Sequence, residues 1–255
     1  MLYLEAIYER TATVGPGESD LFGMCRPSAV MDYLQMAATE HAGRLQVSRG
    51  DVIANYHCLW LLARLWYRLK RPIWRSEAVT VRTWPRTVIG ASIYRDFALY
   101  VGQEPVGEAV SVWVLADLQT RALLRADRVQ QILDLPQQNL GQTRMLRRLS
   151  PPPDLQFKME RTVRYSDTDV NGHMNNMRYA DVACDALGLE TMDGVYPSQM
   201  QINFLQECRA GQTLKVFGKW EQDTAFARGT DAAGKPRFDV CIGFSPVPKE
   251  RENLP

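Results

Sequence analysis

The chain has 255 residues and carries the same order of segments twice, and this repeat constrains its fold more than any other feature. The stretch YERTATV at Tyr8 resembles MERTVRY at Met159, an offset of 159 − 8 = 151. EAVTVRTW resembles TLKVFGKW, an offset of 213 − 77 = 136. Between them, SAVMDYLQMAATEHAG resembles NNMRYADVACDALG and aligns Tyr33 with Tyr179, an offset of 146. A repeat of this length indicates a duplicated domain rather than a solenoid unit.

Each half has one amphipathic helical segment followed by strand-like runs. Apolar or half-polar residues recur at helical spacing in both halves: Val30, Leu34, Ala37 and His41, then Met177, Ala180, Cys184 and Leu187. The strand-like runs are WLLARLWYRL, EAVTVRTW, ASIYRDFALYV and EAVSVWVLAD, then SQMQINFLQE, TLKVFGKW, FARGTD and RFDVCIGF. A long helix lying across an antiparallel sheet, made twice, is an α+β architecture.

The halves are joined by a segment of different composition. We predict an N-terminal domain over 1–120, a connector over 121–155, a C-terminal domain over 156–247 and a tail over 248–255. The connector contains a short helical piece near RADRVQQILDL, a basic cluster RMLRRL and the break SPPP.

Composition excludes several classes of protein. A net charge of +1 argues against a nucleic-acid-binding protein. The sequence has no apolar run of about 18 residues, so we do not expect a membrane-spanning helix. The start, MLYLEAIYERTATV, does not resemble a signal or transit peptide. Five scattered cysteines without a C-x-x-C motif indicate reduced thiols and a cytoplasmic protein. The three histidines share no metal-ligand spacing, so we expect neither a metal nor a cofactor.

The stretch YSDTDVNGHMNN is the most distinctive in the chain. It opens like a calcium-binding EF-hand loop, but the twelfth position counted from Asp167 is Arg178, where that loop needs a bidentate Glu. An ordinary Asx-rich turn before a helix is the simpler alternative. Such a turn does not explain the two-residue spacing of Asp169, Asn171 and His173, which are typical active-site groups.

The repeat supplies an internal control for this loop. At the offset of 146, the three residues correspond to groups without their chemistry: Asp169 to Gly23, Asn171 to Cys25 and His173 to Pro27. At the offset of 136, Glu207 corresponds to Arg71. Because Gly and Pro form turns as well as Asp and Asn do, the difference favours a functional second loop.

SDTDVNGHMNNMRYADV, followed by INFLQEC, resembles the acyl-(acyl carrier protein) thioesterase family of plants and bacteria, which has a D-x-N-x-H-x-N-N signature and a later Glu-Cys pair. The first-half stretches DYLQMAATEHA, LWLLARLWYRLKRPIW, VRTWPR and SVWVLAD also resemble it. The resemblance implies a tandem (double) hot-dog fold: two antiparallel sheets, each wrapped around a long helix, as a pseudo-dimer within one chain. The start of the sequence suits a bacterial member.

The resemblance also implies an activity and a catalytic set. The reaction is hydrolysis of the thioester of a fatty acyl-acyl carrier protein, which releases the fatty acid and holo-acyl carrier protein. Glu207 would activate water, and burial would make it a stronger base. Asn171 and His173 would position the water and the thioester, and Asp169 would hold one of them. A helix beginning near Asn175 would direct free N–H groups at the thioester oxygen.

Cys208 is an alternative nucleophile, because a Cys-His-Asn arrangement could form an acyl-enzyme. Along the predicted strand MQINFLQEC, Cys208 shares a face with Met200, Ile202 and Phe204, and Glu207 lies on the other face. Free cysteine is often a small buried residue, which favours Glu207.

Two other functions remain open at this stage. A hot-dog acyl-CoA thioesterase also uses DTD…GH loops, although the tandem length and the Glu207–Cys208 pair favour the carrier-protein enzyme. A catalytically silent acyl-binding protein is disfavoured by the intact polar set. We expect acyl carrier protein as the partner, a possible homodimer, and a basic docking face drawn from Arg64, Arg68, Lys70, Arg71, Arg75, Arg144, Arg147 and Arg148.

Overall fold

The computed structural model describes residues 6–133, 135, 138, 140, 144–188 and 192–248. The strands are β1 (Tyr8–Thr13), β2 (Cys58–Leu69), β3 (Ala78–Ile89), β4 (Ser92–Val101), β5 (Glu104–Asp117), β6 (Gln156–Thr162), β7 (Val195–Phe204), β8 (Thr213–Glu221), β9 (Thr224–Thr230) and β10 (Pro236–Pro246). The helices are α1 (Pro27–Arg44), α2 (Arg49–Tyr56), α3 (Ala126–Ile132) and α4 (Arg178–Leu187), with a 3-10 turn at Tyr165–Asp167.

The chain divides into two compact units, and each unit is made of several separate segments rather than of one half of the sequence. The first comprises Met1–Thr13, Met31–Trp66 and Ala78–Arg147, and the second comprises Val14–Val30, Tyr67–Glu77 and Arg148–Pro255. Two segments of the first half, which include the start of α1 and the end of β2, therefore belong to the second unit. The boundaries drawn from sequence at 120, 155 and 247 stay predictions, and parts of the connector and of the tail lie outside the described residues.

Both halves use the same strand order. In the first half the order is β1-β3-β4-β5-β2, and in the second it is β6-β8-β9-β10-β7. The pairs β1–β3, β3–β4 and β4–β5 are antiparallel, as are their counterparts β6–β8, β8–β9 and β9–β10. The duplicated α+β architecture predicted from the sequence is confirmed at this level.

The hydrogen bonds correct the offsets of the repeat. The N–H of Val14 donates to the carbonyl of Glu77, and the carbonyl of Val14 accepts from the N–H of Ser76. Val163 makes the same two bonds with Gln212 and Gly211. The structural offsets are therefore 163 − 14 = 149 before the helix and 212 − 77 = 135 after it. The offsets of 151 and 136 assigned to these strands from letter similarity are wrong, and the helix offset of 146 does not hold in the loop before the helix.

The first half buries its whole predicted stripe, and the second buries Met177, Ala180 and Leu187 but leaves Cys184 half-buried. In α1 the side chains of Val30, Leu34, Ala37 and His41 are fully buried. In α4 the ring of Tyr179 packs edge-on against Phe204 of β7 and Phe238 of β10. The second helix has 10 residues against 18 in the first, so only the first is long. Among the described residues, no helix is both long and apolar enough to span a membrane.

One helix was missed by the sequence analysis. Helix α2 begins after Ser48, whose hydroxyl accepts from the N–H of Asp51 while the Asp51 carboxylate accepts from the N–H of Ser48. This reciprocal capping box is encoded by the stretch SRGD, which is the signal that could have predicted the helix.

Candidate active site

The loop before α4 is an Asx turn built on Asp169. Its carboxylate accepts from the N–H of Asn171 at 2.8 Å and, over a longer 3.4 Å, from the N–H of His173. Its own N–H donates to the carbonyl of His173, and its carbonyl accepts from Gly172, whose φ of 72° suits glycine. The second carboxylate oxygen accepts from the side-chain amide of Asn171 at 3.2 Å. Asp169 therefore fixes the position of the Asn171 amide.

His173 faces the second part of the predicted catalytic set. Its Nε2 atom lies 3.2 Å from Oε2 of Glu207. An ionised carboxylate only accepts hydrogen bonds, so Nε2 carries the proton of this contact. The side chain of His173 is 14% exposed and that of Glu207 is 42% exposed. The structure thus brings Asp169, Asn171, His173 and Glu207 together, and their catalytic roles stay a prediction.

Glu207 differs from its prediction in two respects. The strand ends at Phe204, so Glu207 lies in an irregular segment rather than on β7. The main chain leaves the sheet because the N–H groups of Leu205 and Gln206 both donate to the carbonyl of Arg237. The side chain is also exposed to water rather than buried. An exposed carboxylate is accessible to the water that it would activate.

Cys208 lies in the interior, with no exposed surface. Burial raises the pKa of its thiol above the usual value, and the hydroxyl of Tyr179 hydrogen-bonds to this residue. Its carbonyl accepts from the N–H of Met174 at 2.7 Å. A buried thiol with a raised pKa is a poor nucleophile, because the thiolate is the reactive form. These contacts indicate a structural residue that joins the Asp169 loop to the Glu207 segment.

The first half contains the same turn, with an aspartate but without the amide and the imidazole. The carboxylate of Asp20 accepts from the N–H groups of Phe22 at 3.0 Å and Met24 at 2.9 Å. The N–H of Asp20 donates to the carbonyl of Met24, and Gly23 donates to the carbonyl of Asp20 with a φ of 78°. Every one of these bonds has its counterpart 149 residues later.

This second turn corrects the internal control drawn from the sequence. The structural equivalents are Asp20 for Asp169, Phe22 for Asn171, Met24 for His173 and, at the offset of 135, Pro72 for Glu207. The pairing with Gly23, Cys25, Pro27 and Arg71 was wrong, because letter similarity hid a shift of a few residues. The aspartate is common to both turns and is the scaffold. Only the amide, the imidazole and the carboxylate distinguish the second loop.

The helix that follows begins later than predicted. Helix α4 begins at Arg178, three residues after Asn175. The side chain of Asn175 accepts from the N–H of Met177 at 3.0 Å, and its carbonyl accepts from the N–H of Arg178 at 3.0 Å. Two N–H groups that were expected to face the thioester are therefore already bonded within the turn.

The described part of the chain contains no cluster of three or more acidic, histidine or cysteine side chains that could hold a metal. In the loop itself, Asp169 is engaged by main-chain donors and Asp167 by Arg161 and the N–H of Arg164. These bonds occupy the oxygens that the EF-hand alternative would need.

Two family models match the chain. Residues 5–132 match the acyl-ACP thioesterase N-terminal domain, and residues 152–231 match the acyl-ACP thioesterase C-terminal domain. The loop with Asp169, Asn171 and His173 and the segment with Glu207 lie within the C-terminal match.

Curated plant proteins are similar over most of the chain. The chloroplastic oleoyl-acyl carrier protein thioesterase 2 of Arabidopsis thaliana is 26% identical over 199 residues, which are 71% of this chain and 54% of that protein. The chloroplastic oleoyl-acyl carrier protein thioesterase of Coriandrum sativum is 24% identical over 241 residues, which are 84% of this chain and 65% of that protein. The chain thus spans between half and two thirds of the length of these relatives.

Solved structures share the fold. An acyl-ACP thioesterase from Bacteroides thetaiotaomicron superposes with a TM-score of 0.85 at 21% identity, covering 94% of this chain and 98% of that one. The 12:0-ACP thioesterase from Umbellularia californica superposes with a TM-score of 0.76 at 19% identity, covering 94% and 98%. Together with the duplicated strand order, these likenesses confirm the tandem hot-dog fold.

Proposed function

The chain belongs to the acyl-ACP thioesterase family, and from this premise we propose that it hydrolyses the thioester of a fatty acyl-acyl carrier protein. The products are a free fatty acid and holo-acyl carrier protein. The observation that carries the proposal is the 3.2 Å contact between His173 and Glu207, beside a turn that presents the Asn171 amide. The equivalent region of the first half keeps the scaffold aspartate, Asp20, but has no amide, imidazole or carboxylate at the positions equivalent to Asn171, His173 and Glu207.

In the proposed mechanism water is the nucleophile. Glu207 takes a proton from water as its oxygen adds to the thioester carbonyl carbon. The tetrahedral intermediate then collapses, the carbon–sulfur bond breaks, and the sulfur leaves as the pantetheine thiol after receiving a proton. His173, whose Nε2–H is directed at Glu207, orients the base, and the protonated Glu207 then gives the proton it took from water to the leaving sulfur. Asn171, held by Asp169, contacts the water or the thioester oxygen.

The competing mechanism is attack by Cys208. It would require a thiolate that can reach the acyl group, whereas burial favours the neutral thiol at this position. The exposure of Glu207 and the burial of Cys208 both support general-base hydrolysis.

Acyl carrier protein is the proposed partner, and charge is the proposed means of docking. Arg68, Lys70 and Arg75 are exposed on β2 or just after it. Arg71 is a weaker candidate because it pairs with Glu77 at 2.8 Å, and Arg144 is weaker because it stacks on Trp66. Exposed charges are screened beyond about 8 Å at physiological ionic strength, so the Michaelis constant for acyl carrier protein should rise with salt. A value that stays constant from low to high salt would exclude charge-driven docking.

A cytoplasmic location and a homodimer complete the proposal. The location is supported by the five cysteines, all of which are free thiols. Size-exclusion chromatography with light scattering would measure the oligomeric state.

The function is tested by turnover of acyl-acyl carrier proteins of several chain lengths, with the matching acyl-CoA esters as the comparison and thiol release as the readout. We expect hydrolysis with a higher kcat/KM for the carrier protein. Glu207→Gln keeps the shape of the base and should lower kcat by about 10²–10⁴-fold. Absence of hydrolysis with every acyl-acyl carrier protein would contradict the function. A Glu207→Gln enzyme with normal turnover would contradict the mechanism alone.

A further inference from the structure

The segment that carries Glu207 has no regular secondary structure, and the side chain of Arg237 donates a hydrogen bond to its main chain. Arg237 lies in β10, where the pairing with β9 shifts between Pro236 and Phe238. It is the extra residue of a β-bulge. Bulges next to active sites commonly redirect one side chain and end the pairing of a neighbouring strand.

Arg237 contacts the Glu207 segment through both its main chain and its side chain. Its carbonyl accepts from the N–H groups of Leu205 at 2.9 Å and Gln206 at 3.1 Å. Its Nη1 atom donates to the carbonyl of Glu207 at 3.2 Å. Three consecutive residues are thus bonded to one arginine, and the last of them is the proposed base.

The guanidinium is itself anchored. Its Nη2 atom donates to Asp231 at 2.6 Å, and the side chain is only 16% exposed. The other carboxylate oxygen of Asp231 accepts from the N–H groups of Ala233 and Lys235, which closes the turn between β9 and β10. An arginine fork held at one end by a fixed carboxylate has little freedom at the other end.

The first half again provides the control. The pairing of β4 with β5 has the same bulge: Leu99 pairs with Gly107 and Tyr100 with Pro105, which leaves Val106 as the extra residue. Val106 is fully buried and apolar. The bulge therefore belongs to the duplicated fold, whereas the arginine occurs only in the copy that carries Glu207.

We propose that Arg237, anchored by Asp231, is a positioning residue that holds Glu207 at its working distance from His173. This inference rests on the proposed function. Arg237 need not touch the substrate, since its effect passes through the main chain of Glu207. A misplacement of about 1 Å can lower a rate by about 10²-fold, so loss of this contact should reduce kcat without abolishing substrate binding.

The experiment is a double-mutant cycle between Arg237→Met and Glu207→Gln, with kcat, KM and thermal unfolding measured for each variant. We expect Arg237→Met to lower kcat by about 10–10²-fold and to leave KM nearly unchanged. In the Glu207→Gln background it should have almost no further effect, because the group that it positions is gone. Arg237→Lys, which keeps the charge but not the fork, should be intermediate.

Arg228→Met is the matched control. Arg228 forms an ion pair with Asp239 on the same sheet at 2.6 Å, so its loss should lower the unfolding temperature without lowering kcat. If Arg237→Met does not fold, Arg237→Lys and Asp231→Asn take its place in the cycle, and kcat is compared in the same two backgrounds. Normal kcat in folded Arg237 variants, or an equal loss of kcat in both backgrounds of the cycle, would overturn the inference. Normal kcat in Glu207→Gln would instead contradict the proposed base.

Discussion

Asp169 and Asp20 occupy equivalent turns, and this makes them a matched pair for separating scaffold from chemistry. We predict that Asp169→Ala and Asp20→Ala lower the free energy of unfolding by similar amounts, whereas only Asp169→Ala lowers turnover. Both carboxylates accept main-chain hydrogen bonds from residues two and four positions later. Only Asp169 also holds a polar side chain, the amide of Asn171.

The magnitudes follow from the bonds. Asp169 accepts at 2.8, 3.2 and 3.4 Å, and Asp20 accepts at 3.0 and 2.9 Å. A hydrogen bond to a charged acceptor contributes about 1.5–3 kcal/mol to stability. In either variant, water can take the place of the lost carboxylate at the exposed N–H groups, so the free energy of unfolding should fall by only about 1–2 kcal/mol. Burial raises the pKa of Asp20, so part of its loss is offset by removing a buried charge. Both unfolding temperatures should fall by about 2–8 °C.

Turnover should separate the two variants clearly. Releasing the Asn171 amide and loosening the His173 main chain should lower kcat by about 10²-fold, whereas Asp20→Ala should remain within about twofold of the unchanged enzyme. The assay is steady-state hydrolysis of one acyl-acyl carrier protein at a temperature where both variants are folded by circular dichroism. Equal losses of kcat, or a folded Asp169→Ala enzyme with normal kcat, would refute the division between scaffold and chemistry.

Three further predictions concern single residues. Cys208→Ala should keep a substantial fraction of kcat, and intact mass of a quenched reaction should show no acyl adduct on the chain; an adduct at Cys208 would favour the thiol mechanism. Burial raises the pKa of Asp96 to about 7 from 3.8, so ionisation opposes folding and stability should fall as pH rises between these values; urea unfolding should show this slope, and Asp96→Asn should flatten it. Gly229→Ala would place a methyl group 2.0 Å from the fully buried ring of Phe238 and should cost about 1–3 kcal/mol, whereas Gly43→Ala, with open space at its Cβ, should not destabilise; equal unfolding temperatures would count against this packing.

Periodicity was sufficient to predict the architecture. The apolar stripe of α1 and the alternation along the strands are local patterns, because side chains repeat every 3.6 residues in a helix and every two in a strand. The order of segments in the two halves is likewise visible in the letters, and so the duplicated α+β fold could be predicted from the sequence. The polar letters of the Asp169 loop also identified the candidate site.

The roles within that site depended on contacts between distant segments. Only main-chain hydrogen bonds showed that Asp20 is the counterpart of Asp169, since insertions of a few residues shift the letters without shifting the turn. Strand alternation placed Glu207 and Cys208 on opposite sides, yet the strand ends at Phe204. What directs Glu207 is a bulge 30 residues later in the chain, at Arg237. A local pattern encodes which face of an element is buried, but the end of a strand and the position of the residue beyond it depend on the donors and acceptors that the rest of the fold brings there.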